Sequence, residues 1–153
     1  MIQERCVENA RHLFSSSYNC AQAVLMSLLR ESCIEFDSAS YIMAGFGGGI
    51  GGYGSLCGAV VGAIAALGQI LRESIDDRFD HKLETGGFAH EFAERFASEF
   101  ETLICKDLLD SKKNVKAAES NSICMEVVEA SVRIVCELLS PRSIPYCTQS
   151  EHE

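Results

Sequence analysis

The chain has 153 residues, 47% hydrophobic and 23% charged with two prolines, which suffices for one domain with a buried core and excludes a disordered chain. A formal charge of -9 excludes the clustered basic surface that nucleic acid or anionic lipid requires, leaving neutral or cationic partners. The opening MIQERCVENARHLF lacks the basic-then-apolar layout of a secretory signal and points to a cytoplasmic protein, while the apolar run Leu56 to Leu71 falls short of the roughly 20 residues that membrane insertion needs.

Helical punctuation recurs along the chain and strand alternation does not, so the pattern predicts an all-α fold: a compact single-domain bundle of about five to six helices over residues 1–140, with a loose tail over 141–153. Cys6, Ala10, Leu13 and Phe14 recur at helical spacing until Ser15-Ser-Ser17 interrupts them. Asn19 is a good N-cap for a second helix carrying Ala23, Val24, Ser27 and Leu28 along one side and ending near Glu35. A short helix is expected from Ser38 to Ala44. Seven glycines then crowd the stretch before Cys57, and Ser55 is the expected cap of a buried central helix. In that helix Gly58, Gly62 and Ala66 form a small-residue stripe that lets a neighbouring backbone approach. Asp76, Asp77, Glu84 and Thr85-Gly-Gly87 read as a polar linker before an amphipathic helix whose Phe88, Phe92, Phe96 and Phe100 fill the core. Leu103 to Leu109 is a turn or short helix, and the Lys-rich stretch from Ser111 to Glu119 a solvated connection. Asn121 or Ser122 caps a last helix with Ile123, Val127, Ile134, Val135 and Leu138 on its apolar face, stopped by Pro141.

Eight cysteines in a cytosolic chain stay reduced, which turns attention to metal binding or redox chemistry. Cys20, Cys57 and Cys124 each follow a candidate N-cap by one to three residues, and Cys105 opens a short helical turn. Cys33 and Cys136 lie toward the far ends of their helices, and Cys6 and Cys147 in peripheral segments. A helix N-terminus stabilises a thiolate by about 1 kcal/mol, which lowers a thiol pKa by only about 0.7 units and leaves it protonated at neutral pH. Four thiolates therefore need a metal or an iron-sulfur cluster, and buried inert thiols are the competing reading. No C-x-x-C pair is present, so zinc-ribbon and ferredoxin spacings are absent.

Other chemistry finds little footing. His12, His81, His90 and His152 have no metal-ligand spacing, there is no G-x-S-x-G elbow, and Asp76, Asp77, Glu94 and Glu99 read as a solvated face. Gly47, Gly49 and Gly52 satisfy G-x-G-x-x-G formally, but a dinucleotide fold needs a strand before the loop and Ser40 to Ala44 is the sole candidate.

The string Cys57-Gly-Ala-Val-Val-Gly62, with Tyr18-Asn-Cys20-Ala-Gln-Ala-Val24, Gly45-Phe-Gly-Gly-Gly49, Cys105-Lys-Asp-Leu-Leu109 and Cys124, resembles the C_GCAxxG_C_C family of redox-active proteins over about Tyr18 to Leu139. The resemblance implies that Cys20, Cys57, Cys105 and Cys124 are the family's four characteristic cysteines; the other four have no counterpart. Ser17 stands where many members place glycine. The family is also similar to the cysteine-bearing part of split-Soret cytochromes, for which an iron-sulfur cluster is proposed; the C-x-x-C-H haem motif is absent here. Three functions are thus expected in order. The first is electron transfer or redox sensing by an iron-sulfur cluster, or a metal such as zinc, on Cys20, Cys57, Cys105 and Cys124, with Gly47, Gly48, Gly49 and Gly58 beside it. The second is cofactor-free chemistry in which two of Cys20, Cys57, Cys105 and Cys124 cycle between dithiol and disulfide, with Cys57 as the more exposed nucleophile. The third is nucleotide binding at the glycine loop. A redox partner protein is implied, and a homodimer is expected to draw on the phenylalanine stripe or the small-residue helix.

Overall fold

Seven α-helices and one 3-10 turn order the described residues, which in this computed structural model are 1–111 and 120–142, with backbone alone for 120–122. The helices are α1 (Ile2–Ser15), α2 (Cys20–Glu31), α3 (Ala39–Met43), α4 (Gly58–Arg72), α5 (Arg78–Phe100), α6 (Cys105–Asp110) and α7 (Ser120–Leu139), with the 3-10 turn at Ala44–Phe46. No strand occurs among the described residues, only an isolated antiparallel bridge between Leu56 and Ile104. The all-α expectation is met, with one or two more helices than the pattern suggested. Among the described residues no helix is long and apolar enough to cross a membrane. The Lys-rich connection, the side chains of Asn121 and Ser122, Cys147, His152 and the tail beyond Arg142 lie outside the described residues.

Helix α4 runs through the middle. Val60, Ala63, Leu67, Ile70 and Leu71 are buried along it, and α2, α5 and α7 pack around it. The small-residue stripe sets how closely α2 comes: a Cβ on Gly62 would lie 2.5 Å from the Ala21 carbonyl oxygen. Phe92 and Phe96 are fully buried, with Phe96 and Phe100 ring centroids 4.8 Å apart, so the phenylalanine stripe is core. Both surfaces named as sources of a dimer interface are thus used inside one chain.

Four boundaries differ from expectation, the first at α7, which already begins at Ser120, so Asn121 and Ser122, expected as its cap, lie within the helix. The segment read as a linker is helical: Asp77 caps α5 by accepting from the Phe79 and Asp80 amides at 2.9 Å, and the His81 ring meets the Gly68 carbonyl at 2.7 Å. With the cap at one end and packed phenylalanines at the other, Gly86 and Gly87, costing about 1 kcal/mol each, do not break the helix. Helix α2 stops at Glu31, short of Glu35, because Cys33 turns left-handed (φ 54°) and the Ile34 amide returns to the Leu29 carbonyl at 3.0 Å. Cys57, not Ser55, is the N-cap of α4.

Before α4, the chain from Gly48 to Gly52 holds five successive positive φ angles, and one belongs to a β-branched residue, Ile50, at 70°. Ile50 is half exposed, so little packing repays a left-handed conformation that costs about 1–2 kcal/mol. Ile50→Gly is expected to raise the melting temperature by about 2–4 °C, the strain relief exceeding the roughly 0.5–1 kcal/mol entropic cost of glycine. A thermal melt checks this, and an unchanged or lower midpoint contradicts it.

Candidate functional site

Asn19 and Gln22 build the first corner. The Asn19 side chain accepts from the Gln22 amide at 2.9 Å, and the Gln22 side chain accepts from the Asn19 amide at 2.9 Å, closing a capping box that fixes Cys20 in the first turn of α2. The same side chains reach across the site. Asn19 Nδ2 donates to the Met43 and Ala44 carbonyls at 3.2 and 3.1 Å, and Gln22 Nε2 to the Ser40 carbonyl at 2.8 Å, tying α2 to the segment that leads into the glycine loop.

The loop then folds back on itself. Amides of Gly51, Gly54 and Ser55 donate to the carbonyls of Gly45, Gly48 and Gly49 at 2.9–3.0 Å. It exits into a short ladder with the chain entering α6, where the Cys57 amide donates to the Leu103 carbonyl (2.8 Å) and the Cys105 amide to the Ser55 carbonyl (2.7 Å). The antiparallel Leu56–Ile104 bridge thus sets Cys57 opposite Leu103 and Cys105 opposite Ser55, one residue to either side of it. Gly49 leaves room for this: its φ is +65°, and a Cβ there would lie 2.6 Å from Cys105 Cβ. Gly47 packs on Asn19 and Gly48 on Gly52. Gly58 is as tight as Gly62, since a Cβ would lie 2.5 Å from Cys20 Sγ and 2.8 Å from the Phe46 carbonyl. Cys124 is the fifth residue of α7, one turn deeper than a residue that opens the helix.

The thiols influence one another electrostatically. Burial, then Cys20, push the Cys57 thiol up to about 12, with Cys105 adding to the rise; the Ala59 and Val60 amides donate to its sulfur and pull the other way without prevailing. Burial, then Cys20 and Cys105, push Cys124 up to about 11, and burial, then Cys20, raise Cys105. Cys20 is the common neighbour of the other three. Cys57 is only 4% exposed, whereas Cys20, Cys105 and Cys124 are half-buried, so the expectation of Cys57 as the more exposed nucleophile is corrected.

The donor set is four soft thiols, suited to soft metals and iron-sulfur clusters. A single tetrahedral zinc draws its sulfurs to about 2.3 Å from one point. Among the described residues no three His, Cys, Asp or Glu side chains converge in that way on one ion.

The remaining candidates fall elsewhere. His90 pairs with Glu94 on an exposed helix face at 3.4 Å, and the segment Ser40 to Ala44 is helix and 3-10 turn, so no strand precedes the glycine loop. Cys33 is disulfide-bonded, against the expectation that every thiol stays reduced. Sequence reasoning identified Asn19 as a cap but missed that it and Gln22 brace the loop. The signal was present in Asn19-Cys-Ala-Gln22, an N-cap followed three residues later by glutamine.

The sequence profile of the family described as "Putative redox-active protein (C_GCAxxG_C_C)" matches residues 18–138. An uncharacterized protein of Archaeoglobus fulgidus is 29% identical over 147 residues, covering 89% of this chain and 94% of its own. No solved structure matches.

Proposed function

The chain belongs to the C_GCAxxG_C_C family, described as redox-active, and on that premise we propose that Cys20, Cys57, Cys105 and Cys124 together hold an iron-sulfur cluster used for electron transfer or redox sensing. The observation that carries this reading is one buried and three half-buried thiols, at the starts of α2, α4 and α6 and one turn into α7, with Cys20 acting electrostatically on the other three. A thiol at about 12 is ionised to only about one part in 10⁵ at pH 7, which disables it as a free nucleophile but not as a ligand, because coordination itself displaces the proton. A bound cluster supplies one-electron chemistry. The chain contributes the Ala59 and Val60 amides, whose hydrogen bonds to Cys57 stabilise a thiolate there and bias the potential upward, and a mostly buried setting that limits solvent access.

The test is anaerobic reconstitution of the reduced protein with ferrous iron and sulfide. Visible charge-transfer absorption with bound iron and acid-labile sulfide is expected, reduced several-fold in Cys20→Ser, Cys57→Ser, Cys105→Ser and Cys124→Ser and retained in Cys6→Ser. A wild-type protein that takes up no iron and instead loses two hydrogens reversibly at two of the four cysteines, on oxidation and reduction, contradicts the cluster and supports the cofactor-free alternative.

A further inference from the structure

Two cysteines outside the four form a second pair. Cys6 on α1 and Cys136 on α7 are both buried in the core, at 1% and 8% exposure. Their approach follows from helix register as well as from their own contact. Arg11 Nε donates to Glu129 Oε1 at 2.8 Å, joining α1 to α7. In these packed helices Cys6 lies five residues back along α1, about 7.5 Å, and Cys136 seven forward along α7, about 10.5 Å, so both stand at similar axial distances from that ion pair. The two thiols lie close enough to act on each other directly: Cys136, then burial, push the Cys6 thiol up, and Cys6 pulls the Cys136 thiol down. Cys6 precedes the segment that matches the family profile, and neither residue falls on the family's cysteine pattern.

We infer that Cys6 and Cys136 are a second redox site, a dithiol that a hydroperoxide converts reversibly into a disulfide clamping α1 to α7. The Cys136 thiolate attacks one peroxide oxygen, the O–O bond breaks, and the departing oxygen takes a proton to leave as water or an alcohol. Cys136 is then a sulfenic acid. The Cys6 sulfur attacks it, the S–S bond forms, the Cys6 proton goes to the leaving hydroxide, and water departs. Two thiols have lost two electrons and the hydroperoxide has gained them; an external dithiol reverses the step by exchange. Because Cys136 is the more exposed of the two, it is the sulfur that meets the oxidant.

The experiment treats iron-free, reduced wild-type protein with hydrogen peroxide, unfolds it in alkylating reagent and maps peptides without reduction. A cross-linked pair of peptides containing Cys6 and Cys136 is expected, two hydrogens lighter than the sum of its parts and released by dithiothreitol. The melting temperature should rise by about 5–10 °C, as expected when the bond closes so long a loop. In Cys6→Ser the cross-link and the rise disappear, and a sulfenic-acid reagent labels Cys136. The inference is overturned if Cys6 and Cys136 are both alkylated at peroxide doses that oxidise the other thiols, or if either is linked only to another cysteine. If Cys6→Ser does not fold, the wild-type peptide map decides alone. Iron and sulfide uptake by the wild-type protein is read separately, so failure of the clamp and failure of the cluster are distinguishable.

Discussion

Gly58→Ala is expected to destabilise the protein by about 1–3 kcal/mol and to remove most of its capacity for iron and sulfide. The methyl group would enter the 2.5 Å gap to Cys20 Sγ and the 2.8 Å gap to the Phe46 carbonyl. The sulfur can swing away by rotating about its own side chain, but the carbonyl is backbone at the mouth of the glycine loop, so either response displaces the site. Helix propensity favours alanine by about 1 kcal/mol, which offsets part of the strain and none of the displacement. Two controls separate these effects. Gly62→Ala meets only the backbone of Ala21 and should destabilise without moving a sulfur, whereas Gly68→Ala finds nothing nearer than Thr85 Cγ2 at 3.6 Å and should be tolerated. Urea denaturation and iron loading on all three variants check the claim. A Gly58→Ala protein as stable and as iron-competent as Gly68→Ala contradicts it.

The iron-free, reduced protein should lose stability steeply as the solution turns alkaline, with Cys57 a main cause. Its thiol is at about 12 in the folded chain against the ordinary value of 9.0. A raised folded value means that between pH 9 and 12 the unfolded chain releases this proton and the folded chain does not, so the unfolded state is favoured as pH rises. Below pH 9 both states are protonated and the contribution is flat. For Cys57 alone the loss between pH 8 and pH 11 is about 3 kcal/mol, and Cys124, at about 11, adds in the same direction. Tyrosine and lysine also titrate in this range, so the informative quantity is the difference between wild type and Cys57→Ala. That difference should shift by about 3 kcal/mol toward the variant across the interval when urea unfolding is followed at each pH. A difference independent of pH contradicts the burial argument.

How far the sequence reached depends on the range of the interaction in question. The Asn19 cap, the helical run around Ala23 and Leu28, the Gly58-Gly62 stripe and the phenylalanine core were all legible, because each is written within a few turns of one helix. The Thr85-Gly-Gly87 break was misread because a cap at Asp77 and packing at Phe92 and Phe96 outweigh two glycines, and neither weight is local to them. The burial of Cys57 was invisible for a similar reason. It depends on the Leu56–Ile104 bridge and on Gly49 meeting Cys105, contacts that span about half a hundred residues, while the neighbouring sequence shows only glycines and reads as open. The four cysteines could be singled out from their places near helix starts and from the family pattern. Their mutual coupling through Cys20, and the separate pairing of Cys6 with Cys136, required the packed helices.

The most direct test is X-ray absorption at the iron edge of the anaerobically reconstituted protein. The account predicts an all-sulfur first shell with an iron neighbour beyond it, and loss of the iron neighbour in Cys57→Ser. A first shell dominated by oxygen or nitrogen, or iron with no second iron nearby, would contradict it.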